Sequence, residues 1–85
     1  IVSDHSPSTL DLKRSGGGDF GLAWGGISGL QVGLSAVWTE ARRRSIPLPA
    51  LVPLFTTGPA RVAGLEAGVI ALGAPAHLTV FGTDD

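Results

Sequence analysis

The side chains able to do chemistry are few, and they gather at the front of the chain. The stretch Ile1-Val2-Ser3-Asp4-His5-Ser6-Pro7 runs two apolar β-branched residues into an acid, an imidazole and a hydroxyl. It reads as the end of a short buried strand, residues 1–3, with Asp4 at its tip. A carboxylate at the carboxyl end of a strand, followed by a long glycine-rich loop, can ligate a metal ion or take a proton from metal-bound water. It can equally cap the loop by accepting its amides, and the residues alone leave both roles open. On a strand, His5 would point to the face opposite Asp4, so the two would not aim at one site. A hydrogen bond that anchors the loop is the plainer role for His5. The second imidazole, His77, begins a β-like run and reads as a surface residue; the two histidines have no metal-ligand spacing. Ser6 has no general base beside it at useful geometry, which argues against a serine nucleophile.

Two glycine clusters raise separate questions. Gly25-Gly26, ahead of a helix, could present bare N–H and C=O groups to a small polar ligand, or could serve only a turn that needs positive φ. Residues 16–21, Gly-Gly-Gly-Asp-Phe-Gly, lack the GxxxxGK[ST] pattern and follow no strand, so a phosphate loop is not indicated. Trp24 and Trp38 read as packing residues.

The elements that position these groups must come from a small chain. Its 85 residues allow one domain at most. A chain of that size buries only about 60% of its unfolded surface. There is no cysteine, so neither a disulfide nor a thiolate metal site is possible. A net charge of -1 argues against nucleic acid or an anionic membrane as partner. No apolar run approaches the ~20 residues of a membrane span and no signal-peptide pattern is present, so a cytoplasmic setting is expected. Methionine is absent and the chain opens on what reads as a strand end, which suggests a fragment with sequence missing upstream.

Residues 6–26 read as a loop, with Asp11, Lys13 and Arg14 solvated and Phe20, Leu22 and Trp24 buried. Residues 27–43 read as the main helix, with Ile27, Leu30, Leu34, Val37, Trp38 and Ala41 as its apolar stripe. Ser28 is a candidate N-cap, and Arg42, Arg43 and Arg44 form a solvated last turn ended by Pro47 and Pro49. Short helices follow over 50–66. Pro53 is costly inside a helix, about 3 kcal/mol, so the first is expected to start near Leu51 or to kink there. Gly58 should stop it; Pro59 suits the start of the next, which Gly64 or Gly68 breaks. Runs 69–72 and 77–81, separated by Gly73-Ala74-Pro75, read as a short β-hairpin. The implied division is 1–67 and 68–85, the latter ending in a polar tail.

Three segments together carry a resemblance: SDHSPSTLDLKRSGGGDFGLAWGGISGLQVGL at 3–34, LVPLFTTGPARVAGL at 51–65 and GVIALGAPAHLTVF at 68–81. Their order resembles the C-terminal part of allantoinases, cyclic amidohydrolases grouped with dihydroorotases and dihydropyrimidinases. The resemblance implies an α/β fold: the end of a (β/α)8 barrel over 1–67, with strands of a small β-sandwich over 68–85. It implies a binuclear metal centre, usually zinc, held by an HxH pair, two further histidines and a carboxylated lysine, all upstream of Ile1. Asp4 matches the acid at the end of the eighth strand, which implies a metal ligand and proton shuttle for a hydroxide that opens the hydantoin ring of allantoin to allantoate. Ser6 is implied near the substrate, Gly25 in a backbone contact to the ring, and His5 in support behind the ligand. The chain departs from the family pattern at Ser8, where Cys is common, at Gly58, where Asn is usual, at His77, where Asp is usual, and at Pro53.

Other readings stay open. The ring cleaved could be that of a dihydropyrimidinase, hydantoinase or dihydroorotase. The chain could also be a non-catalytic oligomerising module, or a binder of ureides or hydantoins that uses Asp4 and the Gly25-Gly26 backbone. Alone, the 85 residues are expected to be mostly helical with a short β-hairpin, to lack zinc and activity, and to associate with themselves.

Overall fold

The computed structural model describes residues 1–84, and among them the chain forms four α-helices and no strand: α1 Leu10–Arg14, α2 Gly33–Arg43, α3 Leu48–Phe55 and α4 Thr57–Ala63. It divides into two compact units, Ser3–Leu34 and Ile1–Val2 with the chain from Ser35 onward.

In the latter unit the end of α2 follows from its sequence. Val37 and Trp38 are half-buried and Ala41 is 4% exposed, so the expected stripe faces inward there. The Ser45 N–H bonds the Arg42 carbonyl at 3.0 Å, and the Ile46 N–H bonds the Ala41 carbonyl at 2.9 Å. This double closure requires a left-handed residue between, and Ser45 supplies it at φ 56. α4 closes in the same way, with the Leu65 N–H on the Ala60 carbonyl at 2.9 Å, but there the left-handed residue is Gly64 at φ 68. A side chain in that conformation costs about 1–2 kcal/mol, partly offset by the extra freedom glycine has when unfolded. Ser45→Gly is therefore expected to stabilise the chain by about 0.5–1 kcal/mol, read as a higher thermal midpoint; an unchanged or lower midpoint would contradict the closure described.

The arginine run is not a free basic patch. Glu40 accepts from Arg43 at 2.7 and 2.8 Å and from Arg44 at 2.5 Å. Arg43 first, and then Arg44, hold the Glu40 carboxyl below the usual carboxylate range. These groups are exposed, so the pairs add little to stability. Arg42 is exposed, as expected, but it is also bonded. Its guanidinium and the Trp38 indole N–H both donate to the Thr83 carbonyl, at 2.8 and 3.0 Å. Trp38 meets Phe81 edge-on at 6.4 Å between ring centres. The expected polar tail is thus tied to α2 by one carbonyl and one ring.

Among the described residues α3 and α4 are the one helix pair in contact, and Leu51 on α3 and Ala60 on α4 are buried. α3 begins at Leu48, before the expected start, with Pro49 in its first turn and Pro53 inside. The bond that Pro53 cannot donate would have gone to the carbonyl of Pro49, an exposed residue that water can reach. Gly58 does not stop α3; the break is at Thr56, at φ -117 and ψ -89, and Gly58 lies in α4. A β-carbon at Gly58 would lie 3.0 Å from the Pro53 carbonyl oxygen, which suits a glycine where the helices turn. Ile1 and Val2 line an open apolar groove of about 450 Å³ with Leu54, Pro59 and Val62, and the Ile1 amine donates to the Leu54 carbonyl.

The expected β structure is absent among the described residues. Residues 1–3 are not a strand, and runs 69–72 and 77–81 do not pair, although a turn does form between them, with the Ala74 N–H on the Ala71 carbonyl at 3.1 Å. A two-stranded hairpin is marginal in water without a third strand or a covering helix. Here its arms lie open: Ile70, Leu72 and Val80 are over 90% exposed. Among the described residues no helix is long and apolar enough to cross a membrane.

Candidate functional site

The unit Ser3–Leu34 holds all four residues singled out for the site: Asp4, His5, Ser6 and Gly25. The main helix does not begin at Ile27 behind Ser28. It begins at Gly33, after a turn in which the Gly33 N–H bonds the Gly29 carbonyl at 2.9 Å. Gly29 and Val32 are poor helix formers, so the segment before Gly33 stays extended or turned.

That extended segment runs beside the front of the chain. The Ser6 N–H donates to the Ile27 carbonyl at 3.0 Å. The Leu30 N–H donates to His5 Nδ1 at 3.2 Å. As an acceptor, Nδ1 carries no proton, and the ring anchors the loop. The expectation of opposite faces for Asp4 and His5 falls with the strand it assumed. Asp4 is exposed and sits at φ 46, a left-handed conformation that aspartate tolerates better than most residues. No hydrogen bond or ion pair to its carboxylate forms among the described residues.

The Gly25-Gly26 pair resolves into two different roles. Gly26 lies at φ +112, and a β-carbon on it would fall 2.1 Å from the Ser6 carbonyl oxygen. Its lack of a side chain is what lets the two segments approach. Gly25 needs no positive φ, is exposed, and a β-carbon on it would meet nothing within 4 Å. A small side chain there would therefore project into open space.

Residues 15–23 fold back on themselves. Asp19 receives the N–H of Gly21 on its side chain at 2.8 Å and those of Leu22 and Ala23 on its carbonyl. The ends of this excursion meet where the Trp24 N–H bonds the Leu12 carbonyl at 3.1 Å. Within the expected loop 6–26, α1 is an addition. Phe20, Leu22 and Trp24 are not buried: they are 95%, 69% and 63% exposed, because a unit this small has no interior to take them. Lys13 is exposed, as expected, and its ammonium also donates to the Gly26 carbonyl. The sequence gives no signal for that bond, since the partner is a main-chain atom thirteen positions away.

Asp4 offers the oxygen a zinc-type ion accepts, but no three His, Asp, Glu or Cys side chains come together among the described residues. His5 commits one nitrogen to Leu30, and His77 belongs to the other unit. These residues suit one position of a metal centre and not a whole one.

Comparison with curated proteins extends this picture. The allantoinase of Streptomyces avermitilis is 49% identical over 86 residues, which span the whole chain and 19% of that protein. The probable allantoinase 2 of Dictyostelium discoideum is 41% identical over 92 residues, again the whole chain and 18% of the relative. A dihydroorotase of Aquifex aeolicus is 41% identical over 81 residues, 95% of the chain and 18% of its own length. The chain thus spans about a fifth of the length of the curated relatives it matches. No family model matches the chain. No solved structure matches it. The likeness to allantoinases, with dihydroorotases beside them, runs along the whole chain.

Proposed function

We propose that the chain is the C-terminal segment of an allantoinase-type cyclic amidohydrolase, and that it serves the hydrolysis of the hydantoin ring of allantoin to allantoate in purine catabolism. The observation that carries the reading is the whole-chain likeness to allantoinases, in which the segment around Asp4, His5 and Ser6 is bonded beside Gly25–Leu30. In this reading Ile1–Ser3 would be the last strand of a (β/α)8 barrel and 68–85 part of a β-sandwich, each formed only against strands that these residues do not contain.

A metal ion, zinc by family resemblance, would supply a Lewis acid and a water of lowered pKa. Asp4 would hold one position of that centre, and the other ligands would come from outside these 85 residues. Its free carboxylate oxygen would take the proton released as water adds to the ring carbon and pass it to the departing ring nitrogen. Ser6 lies two residues on, where its hydroxyl would bond a polar edge of the ring. Gly25 would meet the ring through its N–H and C=O. His5 would hold the loop through Leu30 and leave Asp4 free to act.

The dihydroorotase relative favours a second reading, in which the ring is a six-membered cyclic amide. Both readings expect the 85 residues alone to be inactive, since one carboxylate cannot hold a metal centre. The extent of open apolar surface, with Phe20, Ile70, Leu72, Val62 and Val80 at 90% exposure or above, also favours self-association of the isolated chain. The test compares an allantoinase-length protein carrying this segment with the 85-residue chain, on allantoin and on dihydroorotate. The long protein should form allantoate and spare dihydroorotate, and the short chain should do neither. Turnover of dihydroorotate alone would move the assignment to the second reading. No turnover of either by the long protein, or turnover by the short chain, would defeat both.

A further inference from the structure

We propose that Lys13 is a positioning residue that fixes the ring-binding backbone at Gly25. The inference rests on the amidohydrolase reading and adds to it the side chain that holds its substrate-facing peptide in place.

Two adjacent glycines are the most flexible dipeptide a chain can present. A ligand that must order them loses affinity to that ordering. Here the order exists beforehand. The Trp24 N–H is held by the Leu12 carbonyl at 3.1 Å, and the Gly26 carbonyl is held by the ammonium of the next residue, Lys13. On the other side, the Ile27 carbonyl is held by the Ser6 N–H at 3.0 Å. Residues 24, 26 and 27 are therefore tied from two directions. Between them Gly25 keeps both its N–H and its C=O unbonded among the described residues, with open space above its α-carbon. A cyclic amide carries adjacent C=O and N–H groups, the complement of what Gly25 offers. The clamp on the Gly26 carbonyl is charge-assisted, stronger than a neutral bond of the same geometry, and it requires a donor at position 13.

A contact that holds the ring alike before and during reaction acts on KM and leaves kcat in place. In the allantoinase-length protein, Lys13→Met removes the donor and keeps the aliphatic stem, while Lys13→Arg keeps a charged donor. Lys13→Met should raise KM for allantoin about tenfold with kcat within about twofold, and Lys13→Arg should recover most of the loss. Hydrogen exchange followed by mass spectrometry should show faster exchange in the peptide covering Trp24–Leu30 for Lys13→Met and near-native exchange for Lys13→Arg. An unchanged KM in Lys13→Met, with the parent active on allantoin, overturns the proposal and leaves the amidohydrolase reading standing. So does a fall in kcat that tracks lost folded protein and is not rescued by arginine. A parent protein that turns over no cyclic amide overturns the underlying reading and the proposal with it.

Discussion

Asp4→Asn should lower kcat/KM for allantoin by a factor on the order of 10²–10⁴ in the allantoinase-length protein, with the unfolding midpoint within about 2 °C of the parent. The substitution is clean for reasons visible at the residue itself. Asp4 sits at φ 46, a conformation that asparagine tolerates as well as aspartate does. Its carboxylate is exposed and engages no partner among the described residues, so removing the charge leaves no orphaned donor behind. A fold cost is therefore not expected, and lost activity reports on the chemistry alone. Asp4→Ala would be a poorer probe, since alanine in a left-handed conformation adds backbone strain to the lost carboxylate. Asparagine keeps one oxygen where a metal would bind, but it is neutral and cannot accept a proton at neutral pH. Steady-state kinetics alongside metal content per chain checks both roles. Activity within tenfold of the parent, at full metal content, would remove Asp4 from the chemistry.

What could be read from the sequence was local. The stop of α2 before Pro47, the glycine end of α4 at Gly64 and the inward stripe through Trp38 and Ala41 follow from short-range rules, and they are present. The sequence singled out Asp4, His5 and Ser6 because one of only two histidines stands between an acid and a hydroxyl there. What failed depended on partners. Residues 1–3, 69–72 and 77–81 have strand-like composition, but a strand forms only against another, and these residues contain none for it. Burial of Phe20, Leu22 and Trp24 failed for the same reason: an apolar side chain marks a wish for an interior, and the unit provides none. Lys13 and Arg42 are exposed, as their long cationic side chains led one to expect, but their bonds to the carbonyls of Gly26 and Thr83 were not legible, since main-chain acceptors carry no side-chain signature. The two glycines at 25 and 26 are identical in sequence and differ only in φ and in what lies opposite, neither of which composition records.

That difference gives the second large effect. In the allantoinase-length protein, Gly26→Ala should reduce kcat/KM for allantoin about a hundredfold, whereas Gly25→Ala should stay within about fivefold of the parent. At Gly26 two faults combine. A φ of +112 is one that side-chain-bearing residues rarely adopt, and the added methyl would stand 2.1 Å from the Ser6 carbonyl oxygen and 3.2 Å from the Ser6 carbonyl carbon. The strain is of order 1–3 kcal/mol, and escaping it means separating the segments and losing the bond from Ser6 N–H to the Ile27 carbonyl, about 1 kcal/mol more. Because the unit Ser3–Leu34 has hardly any core to resist, the cheaper response is local opening, which carries Asp4 and Ser6 away from Gly25. At Gly25 the methyl meets open space and the backbone angle is ordinary, and a main-chain contact to a ligand survives a small side chain. Kinetics on the two variants, with hydrogen exchange over residues 4–7, separates the cases. Fast exchange and lost activity in Gly26→Ala, with parent-like protection and activity in Gly25→Ala, would mean that the site depends on close approach of two backbones. Equal and small effects in both would mean that the Asp4 segment holds its place without that contact, and that the route from Gly26 to the chemistry proposed for Asp4 is wrong.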